Sequence, residues 1–169
     1  MKQYLAGKIR NVALAGHSSS GKTPLAEALL FKTGYSDRLG KVADGNTVCD
    51  FDPEEIKRKG SVSSTVAPFA WGSTKINLID TPGLFDFEGG MYEGMIAAES
   101  VLITVSARDG VEVGTEKAYD LADRLGRAKM FFVTQMDMEN ADFYKVLEQL
   151  KAQFGPSVYP LVFPFMNDG

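Results

Sequence analysis

Cysteine, histidine and tryptophan each occur once in this chain, as Cys49, His17 and Trp71. A single cysteine excludes an internal disulfide, so the chain reads as a protein of a reducing compartment and is expected in the cytoplasm. Cys49 itself reads as a bystander thiol. No run approaches the roughly 18 apolar residues needed to span a bilayer, and the first ten residues lack the apolar core of a signal peptide. No membrane association is expected. A basic excess is missing too: 18 Lys and Arg stand against 22 Asp and Glu, for a net charge of −4. That balance argues against a nucleic-acid binder that uses its whole surface and leaves only a local patch open. Repeats and low-complexity tracts are absent. What remains is the composition of one globular domain, 169 residues with 44% hydrophobic and 24% charged, expected to be monomeric.

Short apolar runs alternate with amphipathic stretches, which predicts an α/β fold. Residues 11–15 read as a buried strand running into a Gly/Ser loop. Leu25, Ala26, Ala28 and Leu29 then recur at helical spacing to about Lys32, and Gly34 ends that helix. From 35 to 59 the pattern dissolves into an acidic segment with Pro53 and several glycines. A long irregular segment inside a compact domain is usually functional or mobile. Residues 62–71 and 75–80, separated by Gly72-Ser73-Thr74, predict a β-hairpin. Residues 83–94, with Gly89-Gly90, read as irregular. Strands are expected at 101–106 and 129–134, helices at 115–125 and 141–154, and a last apolar stretch at 158–165. Helical crossovers imply a mainly parallel sheet with one antiparallel strand and helices on both faces. Ligands bind such sheets at the carboxyl ends of the strands.

Gly16-His17-Ser18-Ser19-Ser20-Gly21-Lys22-Thr23 matches G-x-x-x-x-G-K-[ST] in full, with a strand before it and a helix after it. Glycine and small residues let backbone N–H groups curl around phosphate oxygens, and the following helix turns its positive end to the anion. This predicts a P-loop NTPase, with Lys22 on the β- and γ-phosphates and Thr23 on Mg²⁺. The alternative, a chance Gly/Ser-rich turn, is disfavoured by the strand before the motif and the helix after it. His17, one residue past the strand, reads as structural rather than catalytic.

Asp80-Thr81-Pro82-Gly83 follows the apolar strand Ile76-Asn77-Leu78-Ile79. An aspartate there brings a second carboxylate to the metal of a P-loop enzyme, and Gly83 lets the backbone approach the γ-phosphate. Alone, the turn is equally a simple Pro-Gly turn. Beside the phosphate loop it is a second phosphate-site motif.

These residues together resemble the G domain of bacterial elongation factor G and its paralogues. The resemblance runs through Ile9-Arg10-Asn11-Val12-Ala13, from Ser61 to Gly83 without a gap, Asp86-Phe87, Ala107-Arg108-Asp109-Gly110-Val111-Glu112, and Met136-Asp137 with Ala141-Asp142-Phe143. It covers essentially the whole chain and implies a Ras-like G domain of a translational GTPase, binding GTP or GDP with Mg²⁺ and working on the ribosome through a longer protein. Residues 35–61 would be the first switch and 80–94 the second. Ser61 falls on the family's metal-binding threonine, giving Thr23, Ser61 and Asp80 as expected metal ligands. Lys22, Ser61 and Gly83 are the expected catalytic set. Nucleotide contacts are expected from His17, Ser18, Ser19, Ser20, Gly21, Lys22, Thr23, Pro24, Asp80, Gly83, Thr134, Gln135 and Asp137, with Asp137 accepting from the guanine edge. The final guanine-contacting loop is expected beyond Gly169, so the chain reads as an incomplete G domain.

Four departures bear on the nucleotide. Leu84 stands where the family has the histidine that orients the attacking water, and a leucine side chain makes no hydrogen bond. Slow hydrolysis is expected. Thr134-Gln135-Met136-Asp137 replaces Asn-Lys-x-Asp, so the lysine that braces the phosphate loop is lost while the guanine-selecting carboxylate is kept. Pro24 removes a backbone N–H that usually meets the α-phosphate, an expected loss of about 1.5–3 kcal/mol. Ser19 replaces an aspartate, as in divergent paralogues. The competing reading is a degenerate, non-hydrolysing G domain that serves as a ribosome or protein contact. An ATP-using P-loop enzyme is disfavoured by Asp137 and the two switch-like segments. The run from Glu54 to Lys59 reads as a solvated switch segment rather than an RNA contact. Trp71, Met91, Met95 and Met130 read as packing residues.

Overall fold

The computed structural model describes residues 3–165. Five strands form one sheet: β1 (Ile9–Gly16), β2 (Thr65–Trp71), β3 (Thr74–Asp80), β4 (Ser100–Ser106) and β5 (Ala128–Thr134). Their spatial order is β2-β3-β1-β4-β5. β1 runs parallel to β3 and β4, and β4 parallel to β5, while β2 alone is antiparallel, joined to β3 through the Gly72-Ser73 turn. Five helices accompany the sheet: α1 (Lys22–Lys32), α2 (Pro53–Arg58), α3 (Glu88–Ala97), α4 (Val113–Arg124) and α5 (Phe143–Phe154).

The alternation of side chains along β1 explains the layers. Ala13 and Ala15 face one side and pack with Ile79, Ile103, Met91 and Met95 under α3 and α4. Leu14 faces the other and packs with Ala26 and Leu30 of α1, Phe69 and Leu78. A central strand buried on both faces needs apolar residues throughout, which is why 12–15 is a continuous apolar run. Val105 packs against Val146 and Leu150 of α5. Parallel strands send the loops after β1, β3, β4 and β5 to one edge of the sheet. Among the described residues no helix is long and apolar enough to cross a membrane.

Two segments expected to be irregular contain helices. α2 lies inside 35–59 and is organised by Asp52 and Glu55: Asp52 Oδ1 accepts the Glu54 N–H at 2.8 Å, and Glu55 Oε2 accepts the Asp52 N–H at 3.2 Å. With Pro53 in the first turn this is a capping box, legible as D-x-x-E but masked by the acidic composition around it. α3 begins inside 83–94, because close packing overrides the poor helix propensity of glycine. A Cβ at Gly94 would lie 2.5 Å from Thr81 Cγ2, and one at Gly90 3.0 Å from the Pro82 ring. β2 starts at Thr65, later than the expected 62. Met91 and Met95 are buried as expected, but Trp71 is 65% exposed at the hairpin tip and Met130 is 52% exposed on the edge strand, so neither packs in the core. The described part of the last apolar stretch forms no strand, and Tyr159, Leu161, Val162 and Phe165 are exposed.

Candidate functional site

The loop between β1 and α1 is held from outside by the ends of β4 and β5. Thr134 Oγ1 donates to the Ser20 carbonyl at 2.7 Å, and Gln135 Nε2 donates to the Ser19 carbonyl at 2.9 Å. Ser20 Oγ lies 2.6 Å from Thr104 Oγ1 and donates to the His17 carbonyl at 2.8 Å. With these carbonyls engaged, the N–H groups of Ser18, Ser19, Gly21, Lys22 and Thr23 have no hydrogen-bond acceptor among the described residues. Unpaired donors at the start of an eleven-residue helix make an anion cradle. Pro24, the third helical residue, adds no N–H to it.

Lys22 is buried under the same loop, its Nζ donating to the carbonyls of His17 at 2.7 Å and Gly16 at 3.2 Å. Burial lowers its pKa to about 8 against the opposing pull of the Asp80, Asp50 and Glu112 carboxylates. Beside it, Thr23 Oγ1 donates to Asp80 Oδ2 at 2.7 Å and Ser61 Oγ donates to Asp50 Oδ1 at 2.7 Å. The two hydroxyl oxygens are 3.2 Å apart. That is hydrogen-bond distance, and either hydroxyl could be the donor. Asp80 Oδ1 and Asp50 Oδ2 are buried with no hydrogen-bond partner among the described residues. Burial pushes the Asp80 carboxyl up to about 7, opposed by the Thr23 hydrogen bond and Lys22. Burial likewise raises Asp50. Two neighbouring hydroxyls, each bonded to a carboxylate that keeps one oxygen unpaired, are all-oxygen donors of the chemistry a hard divalent cation prefers.

Gly83 presses on this loop from the second motif. A Cβ there would collide with Lys22 Nζ and lie 2.9 Å from both the His17 carbonyl oxygen and the Ser18 nitrogen. Thr81 Oγ1 anchors the turn by donating to the Leu14 carbonyl at 2.6 Å. Leu84, next in the chain, is 41% exposed at the cavity wall.

A cavity of about 380 Å³ joins these parts. Ser18, Ser19, Gly21, Lys22, Thr23, Pro24, Ser61, Gly83, Leu84 and Gln135 line it. Five expected residues stand back from it. Asp80 lies behind Thr23. Ser20 and Thr134 spend their hydroxyls on fixing the loop. His17 turns away: its Nδ1 accepts the Gly114 N–H at 3.2 Å, its Nε2 lies 3.4 Å from Glu112 Oε1, and its ring meets Phe85 edge-on. Asp137 is exposed on the loop after β5. Gln135 corrects the expectation that the brace is lost with the lysine. Its backbone is left-handed (φ 57°) and its amide spans from the Ser19 carbonyl to Ser106, whose Oγ lies 2.7 Å from Gln135 Oε1. The contact to the loop survives and only the charge is gone. Sequence reasoning missed Asp50, Val42, Arg58, Lys59 and Gly60 on the cavity wall. Asp50 stood among the acids of the irregular segment, with nothing local to separate it from its neighbours.

Comparison with known proteins gives the arrangement its context. Residues 7–165 match the family described as elongation factor Tu GTP binding domain. The chain is 39% identical over 158 residues to the elongation factor G-like protein of Mycobacterium tuberculosis (strain ATCC 25618 / H37Rv), covering 94% of this chain and 22% of that protein. It is 34% identical over 167 residues to the mitochondrial ribosome-releasing factor 2 of Drosophila melanogaster, covering 99% and 23%. A crystal structure from Thermus thermophilus superposes with a TM-score of 0.92 at 42% identity, over 97% of this chain and 24% of that one. Translation elongation factor SelB from Methanococcus maripaludis shares the fold, with a TM-score of 0.64 at 16% identity. The chain thus spans between a fifth and a quarter of the length of these relatives. The mainly parallel sheet, the phosphate loop and a match over nearly every described residue agree: the chain belongs to the elongation factor Tu GTP-binding domain family.

Proposed function

We propose that this chain is the guanine-nucleotide-binding and switching part of an elongation-factor-G-like translational GTPase that acts on the ribosome in the cytoplasm and hydrolyses GTP slowly. The observation that carries the reading is the convergence of Thr23, Ser61, Asp80 and Asp50 directly beneath a loop of unpaired N–H groups. The N–H groups of Ser18, Ser19, Gly21, Lys22 and Thr23 would hold the phosphates. Lys22 leaves the His17 carbonyl for the β- and γ-phosphate oxygens and recovers there the stabilisation of its charge that burial removes. Thr23 and Ser61, backed by Asp80 and Asp50, would hold Mg²⁺, and the metal would supply neutralisation of phosphate charge. Residues 35–61 form the first switch, since that segment brings Ser61 and Asp50 beside Thr23, where they would help hold the metal. Residues 80–94 form the second, with the Gly83 backbone against the γ-phosphate. Asp137 accepts two hydrogen bonds from the guanine edge and Gln135 lies under the base.

Leu84 carries the slow rate. Phosphoryl transfer to water depends on holding the attacking water in line, and an apolar side chain at the mouth of the site does not orient it. The same observation supports a second reading, a G domain that binds nucleotide without hydrolysing it and serves as a ribosome or protein contact. Calorimetry with Mg²⁺ and GTP, GDP or ATP tests the first claim. GTP and GDP should bind and ATP should not compete, and Asp137→Asn should weaken GTP by about a hundredfold. Equal binding of ATP and GTP would exclude a guanine-selective domain. Single-turnover hydrolysis then separates the two readings, and Leu84→His should accelerate it under the first.

A further inference from the structure

α1 carries a second buried acid that the nucleotide chemistry does not use. Glu27 lies one helical turn after Thr23, on the same face, and is 1% exposed. Its Oε1 accepts the N–H groups of Val48 at 2.7 Å and Cys49 at 3.2 Å. Its Oε2 is buried with no hydrogen-bond partner among the described residues, against Gly40, where a Cβ would collide with it. One carboxylate therefore meets both ends of the 40–49 segment, and no strand of the sheet pairs with that segment.

Those contacts lead straight to the metal side of the site. Asp50 follows Cys49, and its N–H donates to Thr47 Oγ1 at 3.1 Å, which turns the Asp50 carboxylate inward. Asp50 Oδ1 then accepts from Ser61, and Ser61 faces Thr23. The path leaves α1 at Glu27 and returns to α1 at Thr23. A carboxyl group is expensive to bury unless hydrogen bonds offset its desolvation. Here both bonds hold backbone that has no ladder of its own.

We propose that Glu27 is a positioning residue for the metal side of the nucleotide site: it latches residues 40–49 to α1 so that Asp50 and Ser61 arrive beside Thr23 and Asp80. This rests on the nucleotide and Mg²⁺ reading above. Glu27 touches neither nucleotide nor metal. It acts through Asp50 and Ser61, so its removal weakens the gain in GTP affinity that Mg²⁺ provides and leaves the phosphate loop alone.

The test uses Glu27→Ala, Glu27→Gln and Gly40→Ala in this chain, with thermal melts to establish folding. Gly40→Ala pushes a methyl group into the latch without altering α1, and serves if Glu27→Ala does not fold. Hydrogen exchange at Val48 and Cys49 in the nucleotide-free chain reads the latch itself. It should be about ten- to a hundredfold faster in Glu27→Ala and Gly40→Ala, and near wild type in Glu27→Gln, which keeps the Oε1 acceptor. The ratio of GTP affinities with Mg²⁺ and with EDTA reads the coupling. It should fall about tenfold in Glu27→Ala, with the EDTA value unchanged and Glu27→Gln restoring the ratio. Unchanged exchange at Val48 and Cys49 overturns the latch. An equal loss of affinity with and without Mg²⁺ overturns the positioning role and makes Glu27 a support of the phosphate loop. A wild-type chain that binds no guanine nucleotide overturns the functional reading instead, and the exchange result still decides whether the latch exists.

Discussion

The phosphate loop and the 35–61 segment meet at one cavity but are held in different ways. The loop is gripped by the sheet: Thr104, Thr134 and Gln135, at or just past the ends of β4 and β5, fix Ser19, Ser20 and the backbone between them. The 35–61 segment is held by acids. Glu27 takes the Val48 and Cys49 amides, and the buried Glu55 takes the Val62 and Ser63 amides at 3.0 and 3.2 Å. Several large apolar residues of that segment, Leu39, Val48, Phe51 and Ile56, remain exposed instead of anchoring it. A part built on strand ends cannot move without disturbing the core. A part held by a few polar contacts can be released locally at low free energy. The difference teaches that the cradle is formed beforehand, while the metal side depends on how the acidic segment is seated.

The largest break in this comparison should come from Lys22→Ala. Nucleotide affinity should fall by about a hundredfold, the loss of charge-assisted bonds to phosphate. The melting temperature of the nucleotide-free chain should not fall with it, because a desolvated charge is removed. Calorimetry and thermal melts check both halves. Thr134→Val should follow, weakening GTP and GDP alike and lowering stability by about 1–2 kcal/mol, since a buried carbonyl loses its donor. Urea unfolding measures that loss. Glu55→Ala should act on the other region alone: faster proteolysis within 52–63, less Mg²⁺-dependent GTP binding, and unchanged GDP binding in EDTA.

The smallest effect concerns pH. The Asp80 carboxyl is raised from an ordinary 3.8 to about 7 in the folded chain without metal. The folded state then binds more protons than the unfolded state between those values. This contribution to stability is complete below about 4 and is lost as pH rises through about 7. Lys22, lowered from 10.5 to about 8, has the opposite sign: its contribution is present above 10.5 and lost as pH falls through about 8. Metal-free, nucleotide-free chain should therefore lose stability from about pH 5 to about pH 7.5 relative to Asp80→Asn. A wild-type melt that runs parallel to the variant over that range would remove Asp80 as the cause.

Much of the fixed region was legible in the sequence and much of the acidic region was not, for one physical reason. Gly16 to Thr23 and Asp80 to Gly83 state their geometry locally, since each is a turn following a strand, and the strands themselves follow from apolar runs. The latches are long-range. Nothing near Glu27 marks it as the partner of Val48, and nothing near Asp50 marks it as the neighbour of Ser61. Local signals also misled. Gly89-Gly90 suggested an irregular stretch where close packing of Gly90 on Pro82 and Gly94 on Thr81 accompanies a helix, and the Asp52–Glu55 capping box was hidden among other acids. At Gln135 the residue type correctly showed the missing charge, but only the fold shows that its amide still reaches Ser19.

Hydrogen exchange across the chain, free and with Mg²⁺ plus GTP or GDP, tests the comparison most directly. Residues 35–61 should gain protection with Mg²⁺ and GTP and much less with GDP, while the buried core of β1, β3 and β4 stays unchanged. Equal exchange of residues 35–61 in the GTP and GDP complexes, with both nucleotides bound, would contradict a segment whose seating on Asp50 and Ser61 senses the nucleotide.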